Sequence, residues 1–62
     1  MTGPQIDPSA FIAATAVVMG DVTLGPRSSV WYLSVVGGDM APISIGADSN
    51  IQDGTIVHVD EG

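Results

Sequence analysis

The sequence has no cysteine and no lysine, and only one histidine, one arginine and three aromatic side chains in 62 residues. Without cysteine there is no disulfide framework and no thiolate metal site. One cation against seven acids leaves a formal charge of −6. Such a chain repels nucleic acid and anionic membrane surfaces. Long hydrophobic runs are also missing. The longest near-apolar stretch, Phe11 to Met19, is about half of what a membrane span needs. The opening Met1-Thr2-Gly3-Pro4 has no basic segment leading into an apolar run, so no signal peptide is read and a cytoplasmic location is expected. Charged residues make up only 13% and hydrophobic ones 45%, the reverse of a disordered composition. The length suits one small domain, residues 1–62, with a core that gives marginal stability by itself.

What is present favours strands. Val, Ile and Thr supply 18 residues, while Gly and Pro supply 12 and work against helix. The apolar residues follow no sustained 3.6-residue period. They recur every six: Ile6, Ile12, Val18, Leu24, Val30 and Val36, then, after a slip of three, Ile45, Ile51 and Val57. A second track runs four residues behind: Ala10, Ala16, Val22, Ser28, Ser34, Met40, Ser49, Thr55 and Glu61. Seven of these nine are small or β-branched. Turn-forming pairs such as Gly20-Asp21, Pro26-Arg27, Ala47-Asp48 and Asp53-Gly54 lie between the tracks. A large inward anchor, a bend and a small inward residue at the next corner describe a hexapeptide repeat. An irregular β-sandwich would not keep an unbroken spacing of six.

Three hexapeptides make one triangular coil of 18 residues. The pattern therefore predicts about three coils, 6–23, 24–41 and 45–62, with residues 42–44 as an insertion. Three is close to the minimum at which stacking buries a continuous core. Vertical neighbours should sit ~4.8 Å apart, the spacing of adjacent strands. The anchors then stack as Ile6/Leu24/Ile45, Ile12/Val30/Ile51 and Val18/Val36/Val57, and these nine are the expected core. Arg27 is expected beneath Asp48 and Gly37 beneath His58. Asp21, Asp39 and Asp60 share a column, read either as three solvated turn acids or as oxygen ligands for calcium or magnesium. In Trp31-Tyr32-Leu33 at least one large side chain must face outward, a feature of subunit contacts.

Two segments resemble a known family. One is Ser9-Ala10-Phe11-Ile12 with Val18-Met19-Gly20-Asp21-Val22-Thr23-Leu24-Gly25 and Ser29-Val30-Trp31. The other is Ile45-Gly46-Ala47-Asp48-Ser49-Asn50-Ile51-Gln52-Asp53-Gly54-Thr55-Ile56-Val57-His58. Together they are similar to γ-class carbonic anhydrase-like hexapeptide-repeat proteins, and the Asn-Ile-Gln-Asp run with a His five residues past its Asp is the most specific part. The resemblance implies an all-β fold, a left-handed parallel β-helix. The spacing alone leaves the hand open, and general crossover preference would favour the right hand. It further implies a homotrimer and zinc as cofactor, held by three His shared between neighbouring subunits. The implied activity is the reversible hydration of carbon dioxide to bicarbonate.

Residue by residue, the resemblance matches His58 to a zinc ligand and Gln52 and Asp53 to a polar pair near the metal-bound hydroxide. Asp39 matches the Asp of an Arg-Gly-Asp segment. The Arg of that segment falls on Gly37, and the family's other two His would lie beyond Gly62. A chain cut short relative to the family, and inactive alone, is therefore expected. Read from the residues alone, His58 follows the anchor Val57 and points outward. Neutral imidazole is a good zinc ligand, yet one outward His is equally an ordinary surface residue. Gln52 is likewise a solvent-facing residue over Trp31, and Asp53-Gly54 is first a turn dipeptide. A non-catalytic hexapeptide-repeat module that assembles with itself or caps a partner stays open beside the enzyme. An acyltransferase of the same repeat class also uses a His, but nothing here resembles an acyl-donor site.

Overall fold

The computed structural model describes residues 3–58. Seven strands follow in order: β1 (Gln5–Ile6), β2 (Phe11–Ile12), β3 (Val17–Leu24), β4 (Ser29–Val30), β5 (Val35–Ile45), β6 (Asn50–Ile51) and β7 (Ile56–His58). The described residues contain no helix, so none can cross a membrane as one. Every strand pairing is parallel. One sheet runs β1-β3-β5-β7 and the other β2-β4-β6. Because β3 and β5 continue round a corner, the first sheet supplies two flat faces and the second supplies one. The architecture is a left-handed parallel β-helix.

The expected vertical pairs are all present. Ile6 pairs with Leu24 and Leu24 with Ile45. Ile12 pairs with Val30 and Val30 with Ile51. Val18 pairs with Val36 and Val36 with Val57. Leu24, Val30 and Val36 of the middle coil are fully buried with Val22, while Ile12, Val18, Ile45, Ile51 and Val57 are partly buried around them. Each fully buried side chain of this size contributes about 1.5–3 kcal/mol. Ile6 departs from the expected core at 42% exposed. In the first coil one side of each anchor has no neighbouring coil among the described residues, so an inward position there does not mean burial.

Two turn columns close the coils. Ser28 and Ser34 are buried at the corners, and their hydroxyls donate to the carbonyls of Gly25 at 2.7 Å and Gln52 at 2.5 Å. No buried side-chain polar atom among the described residues lacks a partner. The third corner has no turn. There Gly20 pairs with Gly38, and a Cβ on Gly20 would come within 2.6 Å of the Gly38 carbonyl carbon. Only glycine allows the two backbones this approach, and Gly20 also takes a φ of 80°.

The insertion lies earlier than the six-residue count places it. Pairing breaks after Gly20↔Gly38 and resumes at Val22↔Ile43, so the extra residues fall within 39–42 rather than at 42–44. Ile43, 6% exposed, takes the inner corner position assigned to Met40, and Met40 is exposed. Burying the branched Ile43 over Val22 continues the core; Met40 in that place would break the β3–β5 ladder.

Candidate functional site

β7 sets His58 on the outer side of the third face, and its Cα partner one coil below is Gly37, followed by Met19. The bulge after Gly38 carries Asp39 back over this position. A Cβ at Gly37 would lie 3.6 Å from Asp39 Oδ1 and 3.8 Å from His58 Cδ2. Both are ordinary van der Waals distances, so position 37 borders the carboxylate and the imidazole alike and has room for a Cβ. Asp39 Oδ1 stands 3.9 Å from His58 Nε2, with both side chains about half exposed. That separation is too long for a hydrogen bond and fits an ion pair only when the imidazole is protonated.

The other two expected site residues lie elsewhere. Gln52 is exposed on the second face, and its Nε2 donates to Asn50 Oδ1 at 2.6 Å. Asp53 occupies the exposed turn between the second and third faces, where the Gly54 N–H donates to the Tyr32 carbonyl at 2.9 Å. Among the described residues no group of three or more His, Cys, Asp or Glu could hold a metal ion. The donor set at His58, one imidazole and one carboxylate 3.9 Å away, does not by itself fit a catalytic zinc, which takes about three protein ligands. Of the acid column, Asp21 falls at the register break, and Asp60 lies outside the described residues.

The strongest electrostatic contact is on another corner. Arg27 reaches Asp48 with two bonds, 2.7 Å from Nε and 3.1 Å from Nη2, as the column predicts. This pairing holds the Asp48 carboxyl below the usual range and raises the guanidinium further. A neighbouring network left no mark in the period. The Ser9 N–H and hydroxyl both donate to Asp7 Oδ1, at 3.0 and 2.8 Å, and these bonds lower the Asp7 pKa. Ser9 Oγ in turn accepts the Arg27 N–H at 2.9 Å. The signal that could have revealed it is the Asp-x-Ser turn at Asp7-Pro8-Ser9. Around His58 the third face is apolar: Val17, Val35 and Ile56 form one row and Met19 flanks Gly37, with Ile56 71% exposed.

These features define the class: a hexapeptide-repeat β-helix with an outward His over a glycine at its third face. No protein-family profile matches the chain, but curated proteins do. It is 50% identical over 56 residues to a mitochondrial gamma carbonic anhydrase 2 of Arabidopsis thaliana, covering 90% of this chain and 20% of that protein. It is 51% identical over 58 residues to a probable carbonic anhydrase of Methanocaldococcus jannaschii, covering 94% and 36%. An uncharacterized transferase, YtoA, of Bacillus subtilis is 49% identical over 55 residues, covering 89% and 32%. Over about nine-tenths of its length the chain is thus similar to proteins named gamma carbonic anhydrase or carbonic anhydrase. It spans about a fifth to a third of the length of these relatives.

Proposed function

We propose that this chain is part of a γ-carbonic anhydrase-like enzyme that interconverts carbon dioxide and bicarbonate, with His58 as one ligand of a zinc ion. The observation that carries the reading is His58 projecting from the third face above Gly37 with Asp39 alongside. The sequence contains a single His, so the remaining ligands come from outside it, from a longer chain or a neighbouring subunit. Asp39, Gln52 and Asp53 are the polar residues assigned to the reacting groups. The apolar row of Val17, Val35 and Ile56 beside His58 supports a homotrimer whose subunits meet at this face. A cytoplasmic location is part of the proposal; the plant relative carries a mitochondrial name.

As 62 residues alone the chain is inactive on this reading, because one imidazole does not hold a catalytic zinc. A chimera tests it. The matching segment of the Methanocaldococcus relative is replaced by this chain, and zinc content and carbon dioxide hydration are measured. Zinc retained, lost on His58→Ala, and hydration raised by Gly37→Arg is the expected result. Zinc content unchanged by His58→Ala rejects the ligand assignment and favours the second reading, a non-catalytic module whose described residues assemble no metal group.

A further inference from the structure

The first coil has a free lower side. β1 and β2 are the outermost strands of the two sheets, and residues 17–20 of β3 pair only with β5. Among the described residues, then, nothing pairs with this side of the coil. The hydrogen bonds show which backbone groups that leaves. The Asp7, Ala13 and Val17 N–H groups donate upward, to the carbonyls of Leu24, Val30 and Ser34. In a parallel ladder successive residues turn their N–H and C=O to opposite sides. The anchors Ile6, Ile12 and Val18 therefore turn theirs downward, one such residue on each face. Their side chains are also less covered than those above. Ile6 is 42% exposed, and Ile12 and Val18 are only partly buried, where Leu24, Val30 and Val36 are buried.

Strand edges left open are normally blunted by lysine, by inward charge or by a bulge. This edge has none of these. From Gln5 to Gly20 the one charged side chain is Asp7, and it is tied to the joint above. Ser9, which donates to its carboxylate, accepts in turn from the Arg27 N–H of the second coil. Of the seven acids, Asp39, Asp48, Asp53, Asp60 and Glu61 all come after the first coil in the sequence. A chain with a formal charge of −6 therefore repels a copy of itself least at this end. The edge also complements itself. A two-fold axis across the lower end sets two such edges antiparallel, and there residues that face one another exchange both backbone bonds. We propose that the lower edge of the first coil docks a second copy of the chain head to head, with anchor backbone facing anchor backbone. The contact is closed, because a two-fold interface uses the same patch on both copies. It takes none of the side chains assigned to carbon dioxide chemistry and leaves the outer side of the third face free.

Ile6→Lys tests the edge. The lysine stem still covers Leu24 while its ammonium sits at the lower end, where a lysine blunts pairing. It also adds a positive charge to an acidic chain, so general repulsion between copies falls rather than rises. In sedimentation the unsubstituted 62-residue chain is expected at about twice the mass of the Ile6→Lys chain at equal concentration. Ile56→Lys adds the same charge to the exposed third face and should leave this doubling in place. The Ile12 and Val18 amides should exchange roughly tenfold more slowly in the unsubstituted chain than in Ile6→Lys. Equal masses for these two chains, or doubling abolished by Ile56→Lys and not by Ile6→Lys, overturns the proposal. So does a mass that rises with concentration without a plateau, since a closed pair does not grow. If Ile6→Lys loses its strand signal in circular dichroism, exchange in the unsubstituted chain decides alone: Ile12 and Val18 amides as fast as those of an unstructured peptide overturn the pairing.

Discussion

The joint between the first and second coils and the joint between the second and third solve one problem in two ways. In the upper joint backbone donors meet backbone carbonyls, Asp48 N–H donating to the Pro26 carbonyl and Gly54 N–H to the Tyr32 carbonyl, with the Arg27–Asp48 side-chain bonds beside them. Arg27, Leu33, Asp48 and Gly54 all hold left-handed φ values between 58° and 71° to make this geometry. In the lower joint the turns of the first coil, Pro8-Ser9 and Ala14-Thr15, contain no residue with positive φ. There Ser9 Oγ accepts from the Arg27 N–H at 2.9 Å and Thr15 Oγ1 accepts from the Leu33 N–H at 3.2 Å. A hydroxyl does the work of a carbonyl, and the chain avoids backbone strain. A turn column is thus held either by conformation, which any glycine supplies, or by side-chain chemistry, which needs a particular residue.

The largest expected effect separates the coils rather than the turns. Leu24 and Ile6 share a column, but Leu24 is 1% exposed and Ile6 is 42%. Leu24→Ala should cost about 2–5 kcal/mol in denaturant unfolding, and Ile6→Ala well under half of that. Equal costs would mean that the first coil packs as tightly as the second. Next comes the upper joint. An added Cβ at Gly54 meets nothing within 4 Å, so Gly54→Ala should cost about 1–2 kcal/mol from its left-handed backbone alone. Thr15→Val in the lower joint removes one acceptor and should cost about 1 kcal/mol, with Leu33 the amide whose hydrogen exchange accelerates.

Smaller still is the pH effect at the lower joint. Asp7 has its pKa lowered by the Ser9 N–H and hydroxyl. Its contribution is therefore present above the ordinary carboxylate range and lost as pH falls through the depressed value. Ser9→Ala should flatten that acid limb of the unfolding curve while leaving the neutral-pH baseline parallel. The smallest effect belongs to the exposed Arg27–Asp48 pair. Arg27→Met should not move the thermal midpoint measurably in 0.5 M salt, because exposed pairs are screened.

Much of this was legible because a solenoid repeats. The six-residue spacing carried the three apolar ladders, and the same count placed Arg27 under Asp48 and Gly37 under His58. The insertion was not legible. Between Val36 and Ile45 both Met40 and Ile43 could serve as an inner corner by hydrophobicity. The choice falls to which one lets β5 resume pairing with β3. The candidate site divided the same way. His58 on an outer face followed from its position after Val57, while the separation of Asp53 and Gln52 from His58 needed the corner between the faces. Leu33 gave no turn signal at all, since a leucine is not a residue that suggests positive φ.

By itself, then, the sequence determined the period, the inward and outward sides of each strand and the vertical register, because these repeat with the backbone and each apolar anchor reports on them independently. The tertiary structure decided where the insertion bulges, that Asp39 folds back beside His58, and which turns are held by hydroxyls and which by left-handed backbone. Those outcomes are not periodic. They depend on contacts between residues about one coil apart at the corners, where a missing Cβ or a single hydroxyl changes which groups can meet.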